Sequence, residues 1–168
     1  NGAVVELPMG QDGTFVLAVR VLDGALEVRE ILPPEEFACG GFSPDGTRLL
    51  LMSYPNDPET VRVVTWPALD VVARLDASTL AGSEGFNFSG CFVTNDLVAL
   101  TLIERGLVVA DALLRHAAPL ELPGMPAFDD EDALAELEYV EPLGDSRIAA
   151  GLWQAGAGRS VRVYAIEG

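Results

Sequence analysis

Residues Phe42-Ser43-Pro44-Asp45-Gly46-Thr47-Arg48-Leu49-Leu50-Leu51 carry an apolar segment through an Asp-Gly turn and out again as a strand, the local signature of a β-hairpin. Three other stretches echo it: Gln11-Asp12-Gly13-Thr14-Phe15-Val16-Leu17, Phe92-Val93-Thr94-Asn95-Asp96-Leu97-Val98 and Pro142-Leu143-Gly144-Asp145-Ser146-Arg147-Ile148. A second landmark keeps step with the first, because Val61-Arg62-Val63 returns as Val161-Arg162-Val163 and, more loosely, as Leu26-Glu27-Val28 and Leu107-Val108-Val109. Two landmarks recurring in one order, at about 50-residue spacing, mark one structural unit used four times.

Turn signals at Asp23-Gly24, Pro55-Asn56-Asp57-Pro58, Arg105-Gly106 and Gly156-Ala157-Gly158 divide strand from strand inside each unit. With the strands of a unit lettered A to D, the second unit reads A 37–44, B 48–54, C 60–66 and D 71–76. The third reads A 88–94, B 97–103, C 107–111 and D 118–122. The fourth has A 137–142, B 147–153 and C 160–166, and the first has A 3–8, B 14–22 and C 25–32, with Pro33-Pro34 leaving little room for a D strand. The expectation is a single all-β domain over 1–168, with units at about 3–34, 37–76, 86–122 and 137–166. One window departs from this: Asp129 to Glu138 sets acids before Ala133-Leu134-Ala135-Glu136-Leu137, a pattern that predicts one short turn of helix.

Phe42-Ser43-Pro44-Asp45-Gly46-Thr47-Arg48-Leu49 resembles the Ser-Pro-Asp-Gly repeat of bacterial WD-like and TolB-like β-propellers. Thr60-Val61-Arg62-Val63 leading to Trp66, followed by Asp70-Val71-Val72-Ala73-Arg74-Leu75, is similar to the third and fourth strands of such a blade. Phe92-Val93-Thr94-Asn95 is similar to the signature of the Tyr-Val-Thr-Asn propeller group. The resemblance implies four consecutive antiparallel meander blades, either a small complete ring or part of a larger propeller. The Gly-His dipeptide of strict WD repeats is missing, so the polar network built on that histidine is not implied. An immunoglobulin-like or jelly-roll sandwich is the alternative fold, and it does not predict paired landmarks at this spacing.

Composition narrows function. The 168 residues are 49% hydrophobic, enough for a substantial core. The 26 acidic residues face 10 basic ones, all arginine, for a net charge of −16, which disfavours nucleic acid and anionic membrane as partners. No apolar run approaches a membrane span and no signal-peptide pattern opens the chain, so a soluble domain is expected. It is cytoplasmic if near full length. The opening Asn1, in place of Met, is expected either of two residues added ahead of the natural start or of a segment cut from something longer.

No cofactor or metal is expected. The only histidine, His116, is read as a solvated residue of a C–D turn rather than a catalytic one, since no Gly-x-Ser-x-Gly elbow is present. Cys39 and Cys91 fall in A strands and are read as buried free thiols. Asp129, Asp130, Glu131 and Asp132 lack the alternation and glycine of a calcium loop and are read as a solvated acidic loop. Gly156-Ala157-Gly158-Arg159-Ser160 is a hairpin turn with no helix to aid a phosphate. Asn87-Phe88-Ser89 is a chance glycosylation sequon. Trp66 and Trp153, at strand ends, are either binding-face aromatics or plugs between blades.

In a meander, B–C and D–A connections share one face and A–B and C–D turns the other. The long D–A connections 77–86 and 123–136 and the B–C connection 55–59 therefore gather together. The candidate binding residues on that face are Asn56, Asp57, Glu59, Asp129, Asp130, Glu131, Asp132 and Arg159, and the expected partner is a protein or peptide of basic character. Two other readings stay open: a propeller hydrolase or lactonase with a channel metal, and an assembly role in which open blade edges self-associate.

Overall fold

The computed structural model describes residues 2–8, 14–22, 24–32, 37–53, 60–80, 85–103, 106–125 and 135–166. They form an all-β, β-propeller-like arrangement of four consecutive antiparallel meanders. The first sheet is β1 (Gly2–Pro8), β2 (Thr14–Leu22) and β3 (Ala25–Leu32). The second is β4 (Phe37–Phe42), β5 (Arg48–Ser53), β6 (Thr60–Thr65) and β7 (Val71–Asp76), and the third is β8 (Phe86–Phe92), β9 (Leu97–Leu102), β10 (Gly106–Asp111) and β11 (Ala117–Pro119). The fourth is β12 (Ala135–Gly144), β13 (Arg147–Gln154) and β14 (Gly158–Ala165). As expected, the first and last sheets have three strands where the middle two have four.

Two details differ from the sequence reading. Ala135 to Glu138 is strand, because Ala135 pairs with Gln154 and Leu137 with Leu152, and the ladder to β13 overrides the helix propensity of these residues. The rest of that window, 129–134, lies outside the described residues. The D strand of the third sheet spans Ala117–Pro119 rather than 118–122, since Pro119 and Pro123 have no N–H to extend a ladder, although Leu120 N still donates to Leu107 O at 2.9 Å.

The motif at 42–51 works as its composition requires. Gly46 N donates to Ser43 O at 2.8 Å, closing a turn in which Pro44 holds the second position and Gly46 takes a left-handed φ of 72°. Asp45 Oδ1 accepts from the Ser43 hydroxyl at 2.6 Å, from Thr47 N at 3.0 Å and from the Thr47 hydroxyl at 2.8 Å. The turn then reaches the next unit: Asp45 N donates to Asn95 Oδ1 at 3.0 Å, the Arg48 guanidinium donates to Asn95 O, and Arg48 Cζ lies 5.6 Å from the Phe92 ring centre.

Strand alternation then assigns each face to a neighbour. Leu50 and Met52 of β5 enter a core with Phe92, Val98 and Leu100 of the third sheet, whereas Leu49 and Leu51 point to the opposite side with Val64. Likewise Val98 and Leu100 of β9 face the second sheet, and Ala99 joins Ile148, Ala150 and Leu152 of the fourth. The sheets touch in chain order, first to second, second to third and third to fourth.

Their first strands come closest to one another. β4, β8 and β12 each carry a bulge or register shift against the next strand, at Cys39/Gly41, Phe86/Gly90 and Leu137/Tyr139. A Cβ on Gly40 would stand 2.7 Å from Gly90 O, so β4 and β8 meet backbone to backbone there. Between β8 and β12, Val140 N donates to the Ser89 hydroxyl at 2.8 Å, and within the third sheet Thr101 Oγ1 of β9 donates to Ser89 O at 2.7 Å.

Candidate functional site

The two faces on which strands end are built differently. On one, the C strand of the second, third and fourth sheets ties back to its own A–B turn: Trp66 N donates to Thr47 O at 2.8 Å, Ala112 N to Asp96 O at 2.9 Å and Ile166 N to Ser146 O at 2.8 Å. The C–D turns are closed as well. Thr65 N donates to Asp70 O and Asp111 N to His116 O, while Leu69 and Leu114 adopt left-handed φ of 65° and 54°. This face is short turns hydrogen-bonded to one another.

His116 belongs to it. The imidazole is 85% exposed, with Nδ1 2.9 Å from Asp111 Oδ2. Partial burial raises the Asp111 carboxyl, but the His116 hydrogen bond and the amides of Arg115 and Leu113 outweigh it and hold the group below its ordinary range. The pair staples a turn at the surface. Among the described residues, no group of three or more His, Cys, Asp or Glu side chains converges to hold a metal ion.

Asp45 sits in the A–B turn of the second sheet on this same face. Hydrogen bonds from Ser43 and Thr47, with a smaller contribution from the Arg48 charge, lower its carboxyl from 3.8 to about 2. A depressed carboxyl contributes stability that is whole above the unfolded value and is lost as the pH falls through the folded one. Acidification from about pH 5 to about pH 2 therefore lowers the denaturation midpoint of the native chain more than that of Asp45→Asn, measured by denaturant titration at each pH.

The opposite face carries the B–C and D–A connections, and Ile103 N donating to Gly85 O at 3.0 Å shows one of each meeting there. Of the candidate binding residues, Asn56, Asp57, Glu59, Asp129, Asp130, Glu131 and Asp132 lie outside the described residues. Arg159 is described, at the start of β14 and 77% exposed. Its guanidinium reaches across β13 to Glu138 Oε1, with Nε at 2.8 Å and the terminal nitrogen at 2.7 Å. Glu138 is the extra residue of the β12 bulge, which the sequence does not reveal. Trp153, paired with Arg159 in register, stays 38% exposed, whereas Trp66 is half-buried and packs edge-on against Phe42 at 5.2 Å.

The remaining candidates resolve by burial. Cys91 is buried, and burial together with the Glu141 charge pushes its thiol up to about 12, so it is an inert core group. Cys39 is only half-buried, a correction to the sequence reading, because it sits beside the β4 bulge at the margin of a smaller core. Asn87 Nδ2 donates to Leu137 O at 3.2 Å, which commits the sequon amide to the contact between β8 and β12. No helix of the described residues is long and apolar enough to cross a membrane.

No family model matches this sequence, and no curated protein matches it. Among solved structures it is similar to the β-propeller domain of the Trilobed protease from Pyrococcus furiosus, whose topology is described as open velcro, with 15% identity and a TM-score of 0.49. The match covers 99% of this chain and 49% of that one, so this chain spans about half the length of its structural neighbour.

Proposed function

We propose that this chain is a non-enzymatic scaffold that binds a basic protein or peptide through the face carrying its B–C and D–A connections. One contrast supports the reading. The A–B and C–D turns are short and hydrogen-bonded to one another, while the connections at 54–59, 77–85 and 120–134 are long and all belong to the other face. Six acids, Asp129, Asp130, Glu131, Asp132, Glu136 and Glu138, fall on or beside the longest of them. A chain with net charge −16 steers cationic partners and repels anionic ones.

Immobilised arginine- and lysine-rich peptides serve as the probe in surface plasmon resonance at two salt concentrations. Association slows steeply as the Debye length shrinks from about 10 Å to about 3 Å. The variant Asp129→Asn, Asp130→Asn, Glu131→Gln, Asp132→Asn associates more slowly with its fold intact, because like charges in a loop contribute little to stability. Association indifferent to salt and to the neutralised loop would reduce the acidic run to a solvating segment.

A further inference from the structure

Trp153 is the largest exposed apolar side chain among the described residues. It stands in one cross-strand row with Glu136 and Arg159, because the ladders of β12, β13 and β14 pair Glu136 with Trp153 and Trp153 with Arg159. Side chains opposed in this way share one face of the sheet, with Cβ atoms roughly 5 Å apart. The row lies at the end of the fourth sheet that meets the loop face. Glu136 is the second residue of β12 after the connection 120–134, and Trp153 and Arg159 bracket the turn 155–157. That turn is Ala155-Gly156-Ala157, so no side chain larger than a methyl group overhangs the indole from its own hairpin. The third sheet, which the fourth covers, shows the same gradation: Ala99 and Thr101 are buried, and Ile103, the counterpart of Trp153, is only half-buried. A neighbouring sheet therefore covers the two rows nearer the A–B turns and leaves this row partly open.

Charge around the indole is net acidic. Glu138 holds Arg159 through two nitrogens, at 2.8 and 2.7 Å, which commits that guanidinium and leaves Glu136, an exposed carboxylate, beside the ring. Asp129, Asp130, Glu131 and Asp132 precede β12 in sequence. Among the described residues the Trp153 ring stacks on no other ring and lies under no cation, unlike Trp66 with Phe42 and Phe92 with Arg48. The other charges of this face are remote along the strands. Glu141 pairs with Ala149 and Arg147 with Ala165, which sets them about 13 Å and about 20 Å from the Trp153 row at strand spacing, and Arg147 has Asp145 at 3.6 Å.

We infer that Trp153 and Glu136 form a subsite that takes an arginine side chain of the basic partner, an inference that rests on the loop-face reading above and gives it a point of recognition. A guanidinium is planar and weakly hydrated, so it stacks flat on an indole while its edge donates to a carboxylate at the ring's margin. A lysine ammonium is a compact, strongly hydrated point charge and cannot serve both partners in that way. Tryptophan offers the strongest aromatic face for a cation and is enriched where binding energy concentrates. The Glu138–Arg159 pair is neutral as a unit, so it bounds the subsite without a net charge to repel the incoming cation.

Peptides of one length rich in arginine, lysine or citrulline test the subsite by surface plasmon resonance and by fluorescence in a Trp66→Phe background, where Trp153 is the sole tryptophan. The arginine peptide binds several-fold tighter than the lysine peptide and changes the Trp153 emission. Citrulline, which keeps the shape without the charge, does neither. Trp153→Leu weakens the arginine peptide roughly 5- to 30-fold, and Trp153→Phe weakens it less. The loss appears in the dissociation rate, because a short-range contact does not steer encounter, whereas neutralising 129–132 acts on association. Glu136→Gln narrows the preference for arginine over lysine. Val163→Thr, on the same face and away from the ring, leaves binding unchanged, and circular dichroism shows each variant folded as the native chain. Arginine-peptide affinity unchanged in Trp153→Leu, or equal affinity of the native chain for arginine and lysine peptides, overturns the subsite while the loop-face reading stands. Failure of every basic peptide to bind the native chain overturns both.

Discussion

Phe92→Ala lowers the stability of the chain by about 3 to 5 kcal/mol, the range for removing a fully buried phenyl ring from a packed core. Phe92 is 1% exposed and lies in the core shared by the second and third sheets, with Val98 and Leu100 from its own sheet and Leu50 and Met52 from the neighbour. Its ring also lies under the Arg48 guanidinium, which bonds Asn95 O in the adjacent turn, so truncation opens a cavity and removes the surface on which that arginine rests. At this chain length the loss corresponds to a fall in melting temperature of roughly 10 °C. Chemical denaturation should show the midpoint moving with the slope unchanged. Phe42→Ala, at the half-buried equivalent position against Trp66, costs less. A loss below about 1 kcal/mol at Phe92 would mean that the two sheets do not pack through this ring.

Gly40→Ala has the second large effect, and its origin is the approach of two backbones. The new Cβ would stand 2.6 Å from Leu50 Cδ2 and 2.7 Å from Gly90 O. Leu50 can change rotamer, but the carbonyl can move only if β8 shifts away from β4, so the expected cost is about 1 to 3 kcal/mol or more. Gly41→Ala is the contrast: its φ of 90° penalises a side chain, yet a Cβ there meets nothing within 4 Å. Its cost, about 1 to 2 kcal/mol, is local strain. Amide chemical shifts distinguish the two, moving in β8 for Gly40→Ala and staying within the β4 turn region for Gly41→Ala. Equal and local perturbation by both would rule out the close approach of β4 and β8.

The strands of the second unit were legible almost to the residue because their ends are written in turn chemistry. Pro44-Asp45-Gly46 ends β4 and starts β5, and the predicted fourth strand, 71–76, coincides with β7 at Val71–Asp76. The division of loops between two faces followed from meander geometry alone, and the Thr47–Trp66, Asp96–Ala112 and Ser146–Ile166 bonds fall where it requires. What sequence could not show was pairing across a sheet. Glu138 meets Arg159 only because a bulge turns it toward a strand two places away. The helix expected near Asp129 failed at Ala135 for the same reason, since residues with helical preference were outweighed by a partner strand remote in sequence. The exposure of Val161, 61% against 0% for Val61, was hidden more completely. Both stand in the same tripeptide, and among the described residues the third sheet packs over Val61 while Val161 has no such cover.

Contact in chain order, each sheet with the one before and the one after, makes this a one-dimensional array rather than a body with a single centre. In such an array stability is a sum of each unit's own pairing and its borders, so inserting or deleting a unit of about 50 residues creates one new junction and leaves the others untouched. Asp45 to Asn95 and Ser89 to Val140 are the joints between successive members, and each spans about one repeat length. A lineage could change the number of its sheets through duplication with only those joints to preserve, while the B–C and D–A connections diverged independently of the frame.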